Sequence, residues 1–242
     1  MKEEERQRAI RLRLARSELR PAAGIPTGFA ALDAVLGTGG WPRGAIVEIY
    51  GPPSSGKTSL LLASIGHLQQ SGATVAWVDA DHTFDAAWAV ELGVAPDGLP
   101  VVQPVSAEEA LAIAQRLAAS RALDFLVIDS VAALVPSLEL EASIGDQSPG
   151  LYSRVLGSGL RRLAAVAVKC GTAVVVLNQA RSRRDRAGDE IETTAGGAAL
   201  QLHTAVRILV EPSQAGIRLK LVRNRLAAGA SEGQVVWKPG RG

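Results

Sequence analysis

The residues best suited to chemistry lie in one run, Gly51-Pro52-Pro53-Ser54-Ser55-Gly56-Lys57-Thr58, preceded by the apolar stretch IVEIY and followed by SLLL. This is the pattern G-x-x-x-x-G-K-[ST] set between a strand and a helix, the context in which it binds a nucleotide. The glycines let the backbone curl until successive N–H groups face inward and form an anion nest. Lys57 offers a cation to the β- and γ-phosphates and Thr58 a hydroxyl to Mg²⁺. The helix beginning near Lys57 adds the positive end of its dipole.

Further candidates finish apolar runs, and in an open parallel sheet ligands bind at such carboxyl ends. Asp129 closes Val127-Ile128-Asp129-Ser130, where a P-loop enzyme holds the carboxylate of its Mg²⁺ shell. Asp81 follows Val78-Asp79-Ala80 and can orient or deprotonate an attacking water, with Asp79 as the alternative. Gln179 follows Leu177-Asn178 and suits sensing of a γ-phosphate and passing that state to the next loop. One polar strand end alone is more often a cap or turn residue. Several around one P-loop point to a site. His82 stands nearby and is assigned no chemistry, since a lone histidine there is more often a hydrogen-bonded structural residue.

For these residues to meet, the apolar runs must lie side by side. Residues 74–80 (TVAWVDA), 125–131 (FLVIDSV) and 173–179 (AVVVLNQ) are continuous apolar runs, which predicts parallel strands buried on both faces. Residues 60–70, 84–92, 107–119 and 151–169 carry apolar residues at helical spacing and supply the crossovers. A lead-in over 21–44 is broken by Pro and Gly, with a short helix over 29–36. After residue 200 the runs 205–211, 217–225 and 234–238 alternate, which predicts antiparallel additions at one sheet edge. Residues 1–20 are dense in arginine and predict one helix, whose thin apolar stripe either docks or stays solvated.

The 242 residues suit one large α/β domain. The expected division is an N-terminal helix and link, 1–24, and a core, 25–242. No apolar run reaches membrane-spanning length and no hydrophobic signal region follows the charged N-terminus, so a cytoplasmic location is expected. The net charge of +2 does not by itself demand nucleic acid, although an even total can hide basic patches. Cys170 is the single cysteine, cannot pair within the chain, and is expected to be a buried thiol.

The strings GAIVEIYGPPSSGKTSLLL, VDADHTFDAAW, FLVIDSVAALVP, SIGDQSPGL, VVLNQAR, ETTAGGAAL and VRNRLAA resemble, in order, the core of the bacterial RecA recombinases over about residues 25–237. The resemblance implies a RecA-like P-loop NTPase, α/β, with a mostly parallel central sheet flanked by helices and antiparallel strands at the C-terminal edge. It implies ATP and Mg²⁺ as ligands, single-stranded DNA bound through two loops, and filaments with ATP between protomers. Gly51, Pro52, Pro53, Ser54, Ser55, Gly56, Lys57, Thr58 and Ser59 then surround the phosphates. Thr58 and Asp129 serve the metal, Asp129 through water, and Asp85 and Trp88 stand beside the adenine. Gln179 is the γ-phosphate sensor and Asp81 takes the place of the family's catalytic glutamate. Arg223 and Arg225 match two lysines that reach a neighbour's γ-phosphate. The DNA loops correspond to 139–150 and 180–197, and Arg154, Arg161, Arg181, Gly196 and Gly197 match positions that meet the DNA backbone. Such contacts need only cations and free N–H groups. For Arg183, Arg184 and Arg186 the alternative is a solvated loop balanced by Asp185, Asp189 and Glu190.

The chain also departs from that family. Asp81 is one methylene shorter than glutamate, so hydrolysis is expected to be slow. The second loop lacks an aromatic and with it a stacking contact of about 1 to 3 kcal/mol. A C-terminal domain for duplex DNA is expected to be absent after Trp237, and the short link 21–24 is expected to weaken self-polymerisation. The stretch TGFAALDAVLGTGGWPRGA is similar to that of ImuA proteins, short RecA relatives that accompany the polymerase-like ImuB in damage-induced mutagenesis. Two readings follow. One is an ATP-binding accessory protein of the DNA damage (SOS) response that engages RecA or an ImuB-like translesion polymerase, with weak ATPase and secondary DNA binding. The other is a minimal recombinase, a DNA-dependent ATPase that forms filaments of its own copies on single-stranded DNA.

Overall fold

The computed structural model describes residues 23–143, 148–184 and 190–236. After an Ile25–Trp41 bridge and helix α1 (Ala30–Leu36), the chain alternates strand and helix. It runs β1 (Ile46–Gly51), α2 (Lys57–Gln70), β2 (Val75–Asp79), α3 (Ala86–Glu91), β3 (Val101–Val102), α4 (Ala107–Ala119) and β4 (Phe125–Asp129). A short α5 (Ser137–Glu141) precedes the long α6 (Leu151–Cys170). Then come β5 (Ala173–Arg184), β6 (Glu190–Thr194), α7 (Gly197–His203), β7 (Val206–Ser213), β8 (Gly216–Asn224) and β9 (Glu232–Val236).

The strands form one sheet in the order β3-β2-β4-β5-β1-β7-β8-β9, with β6 paired to β5 alone. The continuous apolar runs have the predicted cause, because successive residues face opposite layers and both layers are covered. In β4, Phe125 and Val127 pack with α1 and α2, including Leu36, Leu61 and Ile65. Leu126 and Ile128 pack with α4 and α6 through Ala110, Ala114, Leu160 and Leu163. On the α1 side Trp41 lies against Phe125, ring centroids 5.3 Å apart, and its indole N–H donates to Ser64 Oγ at 2.8 Å. No helix among the described residues is long and apolar enough to cross a membrane.

Several expectations are refined. Strand β7 runs parallel to β1, and among the three C-terminal runs β8 and β9 are the antiparallel additions, because the chain crosses over through α7 before rejoining the sheet. Strand β5 continues past Gln179 and returns as β6, a ribbon where the sequence indicated only a loop. Polar residues there carry no apolar period, and the pairing rests on backbone hydrogen bonds. Cys170 is partly exposed rather than buried, because it ends α6 just ahead of the left-handed Gly171. The expected helix over 1–20 and the end of the 234–238 run lie outside the described residues.

Candidate nucleotide site and the adjoining loops

The phosphate loop is shaped where β1 meets its neighbours. All six residues of β1 are buried, and a Cβ on Gly51 would come within 2.1 Å of the Val210 carbonyl oxygen, so the turn out of the strand requires glycine. Ser54 and Gly56 both take positive φ, 57° and 85°, and Gly56 caps α2 without a side-chain acceptor for the first N–H groups. Those groups are therefore available to an anion at the positive end of a 14-residue helix. Lys57 Nζ lies across the loop, donating to Pro52 O at 2.7 Å, Gly51 O at 3.2 Å and Ser55 Oγ at 3.3 Å. Burial lowers the pKa of this ammonium, against the pull of Asp129.

On the metal side, Thr58 Oγ1 donates to Asp129 Oδ2 at 3.2 Å. Burial first, then the charge of Asp81, lifts the Asp129 pKa from 3.8 to about 7; Thr58 and Lys57 work in the opposite direction and Asp79 adds to the rise. A buried carboxylate beside two other acids is short of positive charge. Among the described residues no cluster of three or more His, Cys, Asp or Glu makes a metal cage. Mg²⁺ needs none, because it keeps several waters and binds through one or two side chains plus substrate phosphates. Thr58 and Asp129 fit that ion.

The carboxylates after β2 divide their work. Asp79 is 1% exposed; its Oδ1 accepts the Thr83 N–H at 3.1 Å, and its Oδ2 accepts the Phe84 N–H at 3.1 Å and Gln103 Nε2 at 2.8 Å. It shapes the loop after β2. Asp81 is half-buried, takes a bond from Thr83 Oγ1 at 2.6 Å, and is close enough to Asp129 to raise its pKa. His82 has φ 58° and places Nε2 3.1 Å from Pro104 O, a local bond with no link to the phosphate loop.

Gln179 is exposed and stands opposite Gly51 in the β1–β5 register, beside the root of the loop. Asp85 caps α3, accepting the N–H groups of Ala87 and Trp88 at 2.8 and 3.0 Å. That cap sets Trp88 against α2, where its indole N–H donates to Ser59 Oγ at 3.2 Å. Ser59 also lines a cavity of about 390 Å³ between the phosphate loop and the β7–β8 turn at Ser213 and Gln214. The structure thus brings Lys57, Thr58, Ser59, Asp81, Trp88, Asp129 and Gln179 to one end of the sheet.

Arg223 and Arg225 are elsewhere. β8 begins at Gly216 opposite Ser213, near the phosphate loop, and runs away from it to Asn224 opposite Val206. There Arg223 Nη2 donates to Thr204 O at 2.8 Å, Thr204 Oγ1 at 2.9 Å and Gln201 O, while Arg225 Nη1 donates to Leu202 O at 3.1 Å. Both guanidinium groups cap the C-terminal end of α7, a favourable place for a cation. Burial, then Arg225 and Arg207, lowers the Arg223 pKa.

The matched DNA positions are only partly gathered. Arg181, Gly196 and Gly197 line a cavity of about 680 Å³ with Tyr152 and Thr193. Tyr152 donates to Val131 O at 2.8 Å, and burial raises its pKa to about 12 despite Arg181. Arg154 and Arg161 are exposed on α6; Arg154 borders a separate groove of about 360 Å³ against α4, and Arg161 faces His203 of α7. Gly196, at φ 83°, has a structural reason to be glycine, since a Cβ would meet Leu156 at 2.4 Å. Gly197 has open space around it.

Sequence reading missed Glu48, a fully buried carboxylate in β1 that pairs with Arg207. Its signal was present, a charge in the middle of the strand IVEIYG. Thr83 and Gln103, which separate Asp79 from Asp81, left no such mark.

Residues 4–234 match the family model described as the RecA N-terminal domain. The chain is similar to Protein RecA of Thermus thermophilus, 45% identical over 229 residues, 90% of this chain and 67% of that protein. It is also similar to Protein RecA of Deinococcus radiodurans, 42% identical over 229 residues, 90% of this chain and 63% of that protein. Against Protein RecA of Frankia casuarinae it is 44% identical over 217 residues, 86% of this chain and 63% of that protein. The chain therefore spans about two thirds of the length of these curated relatives. On the match over residues 4–234 and the identity to these relatives, this chain belongs to the RecA N-terminal domain family.

Proposed function

We propose that the chain is a RecA-type ATPase whose nucleotide site is completed by a neighbouring copy and whose turnover responds to single-stranded DNA. The observation that supports this reading is the separation of Arg223 and Arg225 from Lys57, at opposite ends of the sheet; in this reading one copy carries half a site at each end. In this reading the N–H groups at the start of α2 and Lys57 hold the phosphates, and Thr58 with Asp129 holds the metal. Bound Mg²⁺ would neutralise phosphate charge and orient the oxygens. Asp81 orients the attacking water and accepts its proton, Gln179 contacts the γ-phosphate, and Asp85 and Trp88 border the adenine. Arg154, Arg161, Arg181 and the Gly196–Gly197 backbone face the DNA, and the core expected over residues 25–242 carries the activity.

Steady-state ATP hydrolysis, with and without single-stranded DNA at low and moderate salt, tests this reading. A large, salt-sensitive stimulation supports a filament-forming ATPase. A flat, slow rate despite measurable ATP binding rejects it.

A second reading is an ImuA-type accessory protein of the damage response, in which nucleotide is a switching ligand. Asp81 favours it, being shorter than glutamate and held by Thr83 at 2.6 Å. It predicts direct binding to RecA or to an ImuB-like translesion polymerase, and strand exchange by the isolated protein would sink it.

A further inference from the structure

We infer that Asn178 and the buried pair Glu48–Arg207 are positioning residues that tie the γ-phosphate side of the site to the base of the second loop. The inference rests on the reading of Gln179 as the residue that meets the γ-phosphate.

Asn178 uses its whole amide. Its Nδ2 donates to Glu48 Oε1 and to Ala195 O, both at 2.9 Å, and its Oδ1 accepts the N–H of Gln179 at 2.9 Å. The other Glu48 oxygen accepts Arg207 Nε, and Arg207 Nη2 donates onward to Thr194 Oγ1 at 3.3 Å. The same guanidinium lies 5.0 Å from the centre of the Tyr50 ring, one residue before Gly51. Glu48 and Asn178 are 0% exposed, Thr194 4% and Arg207 8%. One water-excluded network therefore joins β1, β5, β7 and the residues immediately before Gly196.

Fold stability alone does not account for this arrangement, because a buried ion pair can often be exchanged for apolar residues of similar volume at no loss. Its geometry accounts for it better. Both Asn178 N–H groups are spent, so a shift of the Gln179 backbone carries the amide with it. Either Ala195 or Glu48 must then follow. Arg207 spans the remaining gap, with one edge on Glu48 and its far nitrogen on Thr194, a reach that lysine cannot reproduce.

The test uses the full chain, Arg207→Lys and Thr194→Val. Arg207→Lys keeps a cation beside Glu48 and drops the link to Thr194; Thr194→Val removes the acceptor at constant volume. Hydrogen exchange of the 193–197 amides is measured with ADP and with a non-hydrolysable ATP analogue, alongside analogue affinity and Tm. In the native chain the analogue slows exchange relative to ADP. In both variants that difference shrinks by about tenfold, the scale of a typical coupling between sites, while analogue affinity holds. The inference is overturned if native exchange ignores the third phosphate. It is equally overturned if the variants lose Tm but keep the exchange difference, which would make the network purely structural. DNA-stimulated turnover of the native chain is read separately; its absence beside an intact exchange response defeats the proposed ATPase reading and leaves the coupling standing.

Discussion

The Thr58 hydroxyl sits 3.2 Å from the Asp129 carboxylate, joining the first turn of α2 to the end of β4. That contact fixes a carboxylate which burial and neighbouring acids keep protonated up to about pH 7. In the folded chain Asp129 thus holds a proton that the unfolded chain releases near 3.8. Between about pH 4 and pH 7 the folded state binds more protons, so this group's contribution to stability falls as pH rises. With metal chelated, Tm measured across that window should carry this decline. Asp129→Asn should remove that part of the slope. An unchanged slope in the variant would show that other groups cause it.

Lys57 is a half-buried cation whose acceptors are two loop carbonyls and one hydroxyl. Phosphate oxygens would bond it more strongly, because charge-assisted hydrogen bonds are about twice as strong as neutral ones. Lys57→Ala should cost about 2 to 3 kcal/mol of nucleotide affinity, or about a hundredfold in Kd. Tm without nucleotide should change little, while the rise in Tm produced by Mg²⁺-ATP should vanish. A variant that still shows the full nucleotide shift would remove Lys57 from phosphate binding.

The sheet was legible because β2 and β4 are apolar up to the aspartate that ends each and the start of β5 is apolar throughout, and the phosphate loop because its residue types and flanks are restrictive. Asp79 and Asp81 could not be separated in sequence, as both close the same apolar run two residues apart. Loop N–H groups and Gln103 occupy both oxygens of Asp79, a difference that only the fold reveals. The β5–β6 ribbon left no apolar period to read. The resting place of Arg223 depends on where α7 ends in space, which local sequence does not encode.

Asp81 receives the Thr83 hydroxyl at 2.6 Å, which turns one carboxylate oxygen toward its own loop. A longer side chain would pass that hydroxyl and extend toward the phosphate end of the sheet. Asp81→Glu should raise turnover by about tenfold, less than the roughly hundredfold or more that a positioned general base is worth, because Asp81 already supplies a carboxylate. Thr83→Val should give a smaller rise by freeing Asp81. Steady-state hydrolysis measures both, and no change in either would take Asp81 out of the water-orienting role.

Gly196 and Gly197 are adjacent, yet their surroundings differ. Alanine at 196 would meet Leu156 at 2.4 Å in a left-handed conformation, whereas alanine at 197 meets nothing within 4 Å. Strain and overpacking together should make Gly196→Ala lose about 2 to 4 kcal/mol by denaturant unfolding. Gly197→Ala should lose about 1 kcal/mol, from its positive φ alone. If Gly197→Ala also weakens binding to single-stranded DNA at unchanged fold, the Gly197 backbone is a phosphate contact; equal losses of stability would mean that the two glycines serve packing alike.

Arg223 and Arg225 lie at the far end of β8 from the phosphate loop, so a site that uses them must take them from another copy. This makes a mixing experiment decisive. A chain carrying Arg223→Ala and Arg225→Ala keeps its phosphate loop, and a chain carrying Lys57→Ala keeps its arginines. Each alone should be inactive. Mixed on single-stranded DNA they should recover turnover, because every junction that sets an intact loop against intact arginines is whole. Arg223 also bonds the carbonyls of Gln201 and Thr204, so its loss should lower stability by about 1 to 2 kcal/mol in either mixture or isolation. That loss is read from Tm and does not depend on the partner chain. Recovery on mixing beside a constant drop in Tm would assign the guanidinium groups both duties, closing α7 within one copy and completing the site of the next. Failure to recover, with each variant folded and the native chain active, would confine them to the helix end.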